Sequence, residues 1–214
     1  KTINKSIELF QMNNPTNIVE SQYSDDIYKT ILKNINSSDA DILIFSENNY
    51  PYLVTDINKL EIRSLIKKNQ QLIIGATRLE NGNFYNSILV LSSKKSEYFD
   101  KKILVPFGEF LPMRKYLYFI EAISGTKDFS TGYKQRIIKI EKNLNFIPVI
   151  CYEIIFFWNL INKTNYNSDF IINITNDAWF GKKIGPYQHF YLSKLRAAEF
   201  NKPLIRISNN GISG

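Results

Sequence analysis

Short apolar runs alternate with amphipathic stretches along most of the chain, and that alternation narrows the fold more than any other feature. The runs at 7–10, 41–45, 71–76, 136–140, 145–151, 169–175 and 204–208 have the length and the Ile, Leu, Val and Phe content of buried strands. Helical patterns separate several of them. Residues 25–35 carry Ile27, Ile31, Leu32 and Ile35 at helical spacing, with Ser24 or Asp25 placed to cap. Residues 56–68 present Leu60, Ile62, Leu65 and Ile66 as the inner stripe of a second helix. Residues 154–161 read as a short helix, and Pro186 suits the first position of a helix running through Glu199. Asn81-Gly82 signals a hairpin turn; 83–92 then reads as a longer strand, with 98–101 pairing beside it. A Lys-Asn turn joins 136–140 to 145–151. Residues 106–132 interrupt the pattern with an aromatic, glycine-containing stretch holding one short helix near 113–120. The order of elements gives the α/β class with a mixed sheet.

Counts then remove several chemistries. Cys151 is the single cysteine and His189 the single histidine, so an intrachain disulfide, a Cys-rich zinc site and a two-histidine metal site are all excluded. No apolar run reaches the roughly 18 residues of a membrane-spanning helix; the longest, 146–158, is broken by Pro148 and Glu153. Residues 1–5 lack the apolar block of a signal peptide, and Lys1 stands where an initiator methionine would, so the chain reads as a piece of a longer protein. Twenty-seven Lys and Arg against twenty Asp and Glu leave a net charge of +7, which favours acidic partners such as an anionic membrane surface. No phosphate-cradling glycine loop, RNA-binding aromatic signature or zinc-finger spacing argues for nucleic acid.

Three reactive side chains follow the ends of expected strands, where α/β folds place function: Glu47 after 41–45, Lys101 after 98–100, and Cys151 after 145–150. Alone, each has an ordinary reading: a small core thiol, a solvated loop carboxylate, one of a pair of surface lysines. Together they form a toolkit. A thiol attacks as thiolate and needs a base or cation nearby; a desolvated carboxylate serves as that base; an ammonium stabilises an oxyanion. A Cys-His dyad through His189 is the other arrangement the composition allows.

Glu47, Lys101 and Cys151 occur in the order and approximate spacing of the Glu-Lys-Cys triad of the nitrilase (carbon–nitrogen hydrolase) superfamily. The flanks Lys-Lys-Ile-Leu-Val-Pro-Phe-Gly-Glu (101–109), Cys-Tyr-Glu-Ile-Ile-Phe (151–156), Asn-Asp-Ala-Trp-Phe-Gly (176–181), Gly-Pro-Tyr-Gln-His-Phe (185–190) and Pro-Leu-Ile-Arg-Ile-Ser-Asn-Asn-Gly-Ile-Ser (203–213) resemble that superfamily's apolipoprotein N-acyltransferase branch. The resemblance implies a nitrilase-like α-β-β-α sandwich over residues 1–214. It also implies an N-terminal membrane region and C-terminal strands that this chain lacks, and a location at the bacterial inner membrane facing the periplasm. Ser46 stands where the branch commonly has proline.

The implied reaction is ping-pong acyl transfer without cofactor or metal: Glu47 as base, Cys151 as nucleophile, Lys101 at the oxyanion, membrane phospholipid as acyl donor and an apolipoprotein as acceptor. Glu109, Glu153, Tyr152, Asn86 and Trp179 are implied as supporting or substrate-binding residues, with Trp179 packed at the site wall. The sequence assigns His189 and Arg196, both on the helix opened by Pro186, to structural roles. Residues 107–133, where Phe110, Leu111, Met113 and Tyr116 mix with Arg114 and Lys115, suit a lipid-admitting arm at a membrane interface. A soluble amidase using the same triad on a small amide is the competing reading.

Overall fold

The computed structural model describes residues 4–14, 21–112, 128–141, 144–181 and 183–214; the short helix expected near 113–120, most of the aromatic arm, and the Lys-Asn turn lie outside them. Among the described residues, nine strands form two sheets. In the first, β1 (Ile7–Phe10), β2 (Ile42–Phe45), β3 (Gln71–Glu80), β4 (Asn83–Leu91) and β5 (Ser96–Asp100) lie side by side in chain order. β1, β2 and β3 are parallel, and β3–β4 and β4–β5 antiparallel. In the second, β6 (Ile138–Glu141) pairs antiparallel with β7 (Leu144–Ile150), which continues in parallel through β8 (Phe170–Thr175) and β9 (Leu204–Ser208).

The period-two alternation of strand side chains sorts these residues into layers. Ile42 and Ile44 of β2 and Ile73 of β3 point inward, meeting Phe146, Ile150, Ile172 and Ile174 of the opposite sheet in one core between the sheets. Leu43 and Phe45, the alternate residues, face outward with Leu72, Ile74 and Ala76. Helix α1 (Ser21–Ser37) covers that outer face with Ile27, Ile31 and Ile35. On the far side, Ile147, Val149 and Ile171 pack against Leu160 of the short helix α2 (Phe157–Leu160) and against Phe200, just past helix α3 (Ile184–Glu199). The result is an α-β-β-α sandwich, and each fully buried Ile, Leu or Phe in its three apolar layers contributes about 1.5–3 kcal/mol.

Three expectations are corrected. The segment 56–68 forms two 3-10 turns, Ile57–Lys59 and Glu61–Leu65, rather than an α-helix. Asp56 accepts from the Asn58 N–H and Leu60 is extended, so local polar bonding and β-branched residues defeat the helical period, although Ile62 and Ile66 are buried as expected. Helix α1 begins at Ser21, so Ser24 and Asp25 lie within it rather than capping it. Helix α3 begins at Ile184, which puts Pro186 third rather than first, still within the turn whose N–H groups need no helical partner.

Candidate active site

Four strands feed the site from their C-terminal ends, while Asn86 reaches it from within β4. β2 delivers Glu47, β5 delivers Lys101, β7 delivers Cys151 and β8 delivers Asn176. Glu47 can sit against β3 because residue 75 is glycine: a Cβ there would lie 2.6 Å from the Glu47 Cα, the Ser46 carbonyl and the Asn48 nitrogen. Lys101 continues the β4–β5 ladder, its N–H donating to the Asn86 carbonyl at 2.8 Å. Just before it, Asp100 is clamped by Arg78 at 3.1 Å and by the Ser87 hydroxyl at 2.5 Å.

The three candidates converge in a buried cluster. The Cys151 thiol and the Glu47 carboxylate lie close enough to perturb each other's ionisation. Lys101 Nζ lies 3.7 Å from Glu47 Oε1. Glu47, Lys101 and Cys151 are 6%, 1% and 6% exposed, so their charges act on one another with little screening by water. Asn86 Nδ2 bridges Glu47 Oε1 and Glu109 Oε1 at 2.8 Å each. Glu109 also accepts from Lys101 Nζ at 2.9 Å and from the Val105 N–H at 2.9 Å, so this second carboxylate grips the ammonium. The Asn176 N–H donates to Glu47 Oε2 at 2.8 Å, and the Thr175 hydroxyl donates to Asp177 Oδ1 at 3.2 Å.

Burial pushes the Glu47 carboxyl above its ordinary value of 4.5; Lys101 opposes the shift and Glu109 reinforces it. Burial also raises the Cys151 thiol, to about 12, with the Glu47 charge adding to the effect and Lys101 opposing it. Burial works against the Lys101 charge, but Glu47, Cys151 and Glu109 outweigh it and hold the ammonium well above its usual range. The resting site therefore holds a neutral thiol, a desolvated carboxylate within reach of its proton, and a fixed ammonium.

Cys151 has a left-handed backbone with φ of +50°, uncommon for a residue with a side chain and worth about 1–3 kcal/mol of strain. Glu153 holds this turn. Fully buried, it accepts from the Ile150 N–H at 3.0 Å, from the Lys102 and Ile103 N–H groups at 2.8 and 3.1 Å, and from both terminal nitrogens of Arg136 at 2.7 and 2.9 Å. One carboxylate thus ties the turn bearing the thiol to the segment following Lys101. Tyr152 lies edge-on to Phe156 and tilted against Phe180. The expected packing of Trp179 is not found. Its 3-10 turn (Asp177–Phe180), capped by Asn176, buries Asp177 and leaves the Trp179 side chain 67% exposed. His189 Nε2 meets the Cys151 carbonyl at 3.2 Å and not the thiol, so the alternative Cys-His dyad is absent. Arg196 is buried and pairs with Glu199.

The sequence profile of the carbon–nitrogen hydrolase family matches residues 28–214. The chain belongs to the carbon–nitrogen hydrolase family. Among solved structures, a carbon–nitrogen hydrolase superfamily protein from Xanthomonas campestris superimposes with a TM-score of 0.68 at 15% identity, covering 100% of this chain and 78% of that one. A carbon–nitrogen hydrolase from Helicobacter pylori superimposes with a TM-score of 0.65 at 13% identity, covering 95% and 73%. At such identities the likeness carries the fold. Closer in sequence are two curated relatives named apolipoprotein N-acyltransferase. The one from Rickettsia typhi is 34% identical over 203 residues, covering 88% of this chain and 40% of the relative. That from Wigglesworthia glossinidia brevipalpis is 39% identical over 198 residues, covering 86% and 39%. This carbon–nitrogen hydrolase chain therefore spans about two fifths of the length of those relatives.

Within this carbon–nitrogen hydrolase site, the sequence left Arg136, Thr175 and the main chain of Asn176 unassigned. Asn176 lies in a segment whose resemblance was visible. Arg136 carries no local signal, because its partner Glu153 comes from a different strand end.

Proposed function

We propose that residues 1–214 form a catalytic domain that transfers an acyl chain from a membrane phospholipid to the N-terminal S-diacylglyceryl-cysteine of an apolipoprotein, through a thioester on Cys151. One observation carries the reading: Glu47, Lys101 and Cys151 share one buried cluster, with the Lys101 ammonium 3.7 Å from the Glu47 carboxylate and the thiol electrostatically coupled to both. Glu47 takes the thiol proton as sulfur attacks the ester carbonyl carbon. Lys101 and main-chain N–H groups beside Cys151 face the oxyanion. The tetrahedral intermediate collapses, and the departing lysophospholipid oxygen takes the proton from Glu47. The acceptor amine then attacks the thioester, gives its proton to Glu47, and leaves as the amide while the thiol is restored. The names of the curated relatives support the choice of acceptor, and the net charge of +7 suits an anionic lipid surface.

The test is intact-mass spectrometry of the full protein after incubation with phospholipid. The expected result is one added acyl chain, removed by hydroxylamine and discharged when a diacylglyceryl-cysteine peptide is added. Release of ammonia from small amides, with no acyl adduct, overturns the proposal in favour of the amidase reading.

The reaction also has a predicted acid limb. Glu47 must be ionised to accept the thiol proton, and its carboxyl is raised. Single-turnover acylation should therefore fall as pH drops through a value above 4.5, the ordinary value for this carboxyl. A rate that stays flat to below 4.5 removes Glu47 from the base role.

A further inference from the structure

Behind the candidate triad lies a second buried polar cluster that the proposed chemistry does not use. His189, on α3, is 3% exposed. Its Nδ1 lies 2.8 Å from Asp177 Oδ1, and its Nε2 lies 3.2 Å from the main-chain carbonyl of Cys151. Arg206, fully buried on β9, places Nη2 at 3.1 and 3.0 Å from the two oxygens of Asp177 and 3.1 Å from His189 Nδ1. Thr175 Oγ1 donates to Asp177 Oδ1 at 3.2 Å. The Nε2 side of the ring faces an acceptor, since a carbonyl oxygen has no hydrogen to give, so Nε2 carries a hydrogen.

That hydrogen bond lands on the residue whose backbone is strained. The Cys151 carbonyl belongs to the left-handed peptide that aims the side chain, and it has only one other side-chain donor among the described residues, Asn173 Nδ2 at 3.4 Å. A distance of 3.4 Å is long for an N–H···O bond, so the imidazole is the stronger tether. Behind the ring, Asp177 and Arg206 fix it against rotation, as a carboxylate does for a metal-bound or catalytic histidine.

We propose that His189 is a positioning residue: its Nε2–H, braced by Asp177 and Arg206, pins the Cys151 carbonyl and so holds the sulfur on Glu47 and Lys101. The proposal rests on reading Cys151 as the nucleophile, but it concerns the placement of the thiol and not the identity of the acyl donor. It separates the two nitrogens of one ring. Glutamine can offer an N–H near the position of Nε2, whereas asparagine reaches only the position of Nδ1.

The experiment compares His189→Gln with His189→Asn in the full protein. Alkylation of Cys151 by iodoacetamide is followed on the peptide that carries it, alongside acyl transfer and melting temperature. H189N is expected to lose about tenfold or more in both rates, because misplacing a reacting group by about 1 Å costs on that order or more. H189Q is expected to recover both rates to within about threefold of wild type. A merely structural histidine would lower the melting temperature of both variants and leave their rates per folded molecule alike. Equal impairment of the two variants overturns the proposal, as does an H189N rate equal to wild type. Should H189N fail to fold, H189Q decides alone: retention of the wild-type rates supports the proposal and a tenfold loss sinks it. Alkylation that shows the Gln/Asn asymmetry without any acyl transfer leaves the positioning role standing and removes the acyltransferase reading. Normal acyl transfer without the asymmetry does the reverse.

Discussion

Cys151→Ala is expected to lower single-turnover acyl transfer by ~10^3-fold or more, with the acyl adduct gone from the mass spectrum. The effect should be this large because no neighbour can take over. Lys101 is held as an ammonium by Glu47 and Glu109, so it has no free electron pair with which to attack. The Thr175 hydroxyl is engaged with Asp177. Glu47→Gln keeps the thiol but removes its proton acceptor, and should lower the rate by about 10^2–10^4-fold. The two variants should differ in stability. Glu47 is a carboxyl whose folded-state value is raised, so its ionised form is penalised by folding at neutral pH, and the penalty is relieved as pH falls through that raised value. Replacing it with a neutral amide removes the penalty, so E47Q should melt no lower than wild type while losing activity. Residual transfer in C151A at a tenth of the wild-type rate or more would eliminate sulfur as the nucleophile.

Arg136→Ala should have the largest effect on the fold. It would leave Glu153, which has no exposed surface, with its charge unpaired, at a cost of about 3–5 kcal/mol in chemical denaturation at neutral pH. Burial pushes the Glu153 carboxyl up, but Arg136 and the Ile150 N–H pull harder and hold it below 4.5. A depressed carboxyl contributes stability that is present above its unfolded value and lost as pH falls through its folded value. In R136A the folded value rises, so acid unfolding should begin at higher pH than in wild type. Arg136→Lys should recover only part of the loss, since one ammonium cannot make the paired contacts at 2.7 and 2.9 Å. A change below about 1 kcal/mol in R136A would contradict the account of this pair.

The strands were the legible part of this fold. β9 runs over 204–208 and β1 over 7–10, as the apolar runs indicated, and Asn81-Gly82 makes the expected hairpin. Runs such as β2 and β8 are readable because a strand buried on both faces needs mostly apolar residues whatever its neighbours are, while β1, at the sheet edge, is legible although partly exposed. The segment 56–68 was misread because four apolar residues at helical spacing fit two short turns equally well, and the competition from Asp56 is a local hydrogen bond that periodicity does not register. Glu47, Lys101 and Cys151 were legible as candidates because each follows a strand end and the spacing resembles a known triad. Asp177, His189 and Arg206 were present as letters, but nothing local said that a residue on a helix, one in a turn and one on a distant strand share one buried cluster. That information lies in the packing of β8 and β9 under α3.

The placement of Glu153 has a consequence for how such a scaffold diversifies. Its carboxylate fixes the spacing between the thiol-bearing turn and the start of the segment after Lys101 from below, out of contact with anything entering from outside. Beyond Ile103 the segment is released from that anchor, and Phe107 and Trp179 stand in the open. Glu109 and Asn176 tie the rim backbone to Lys101 and Glu47, so it is the outward side chains, not the loops themselves, that are free of the reaction centre. Substitution of exposed side chains such as Phe107 and Trp179 can retune which molecule is admitted while Glu109 and Glu153 keep the bond-making atoms at their spacing.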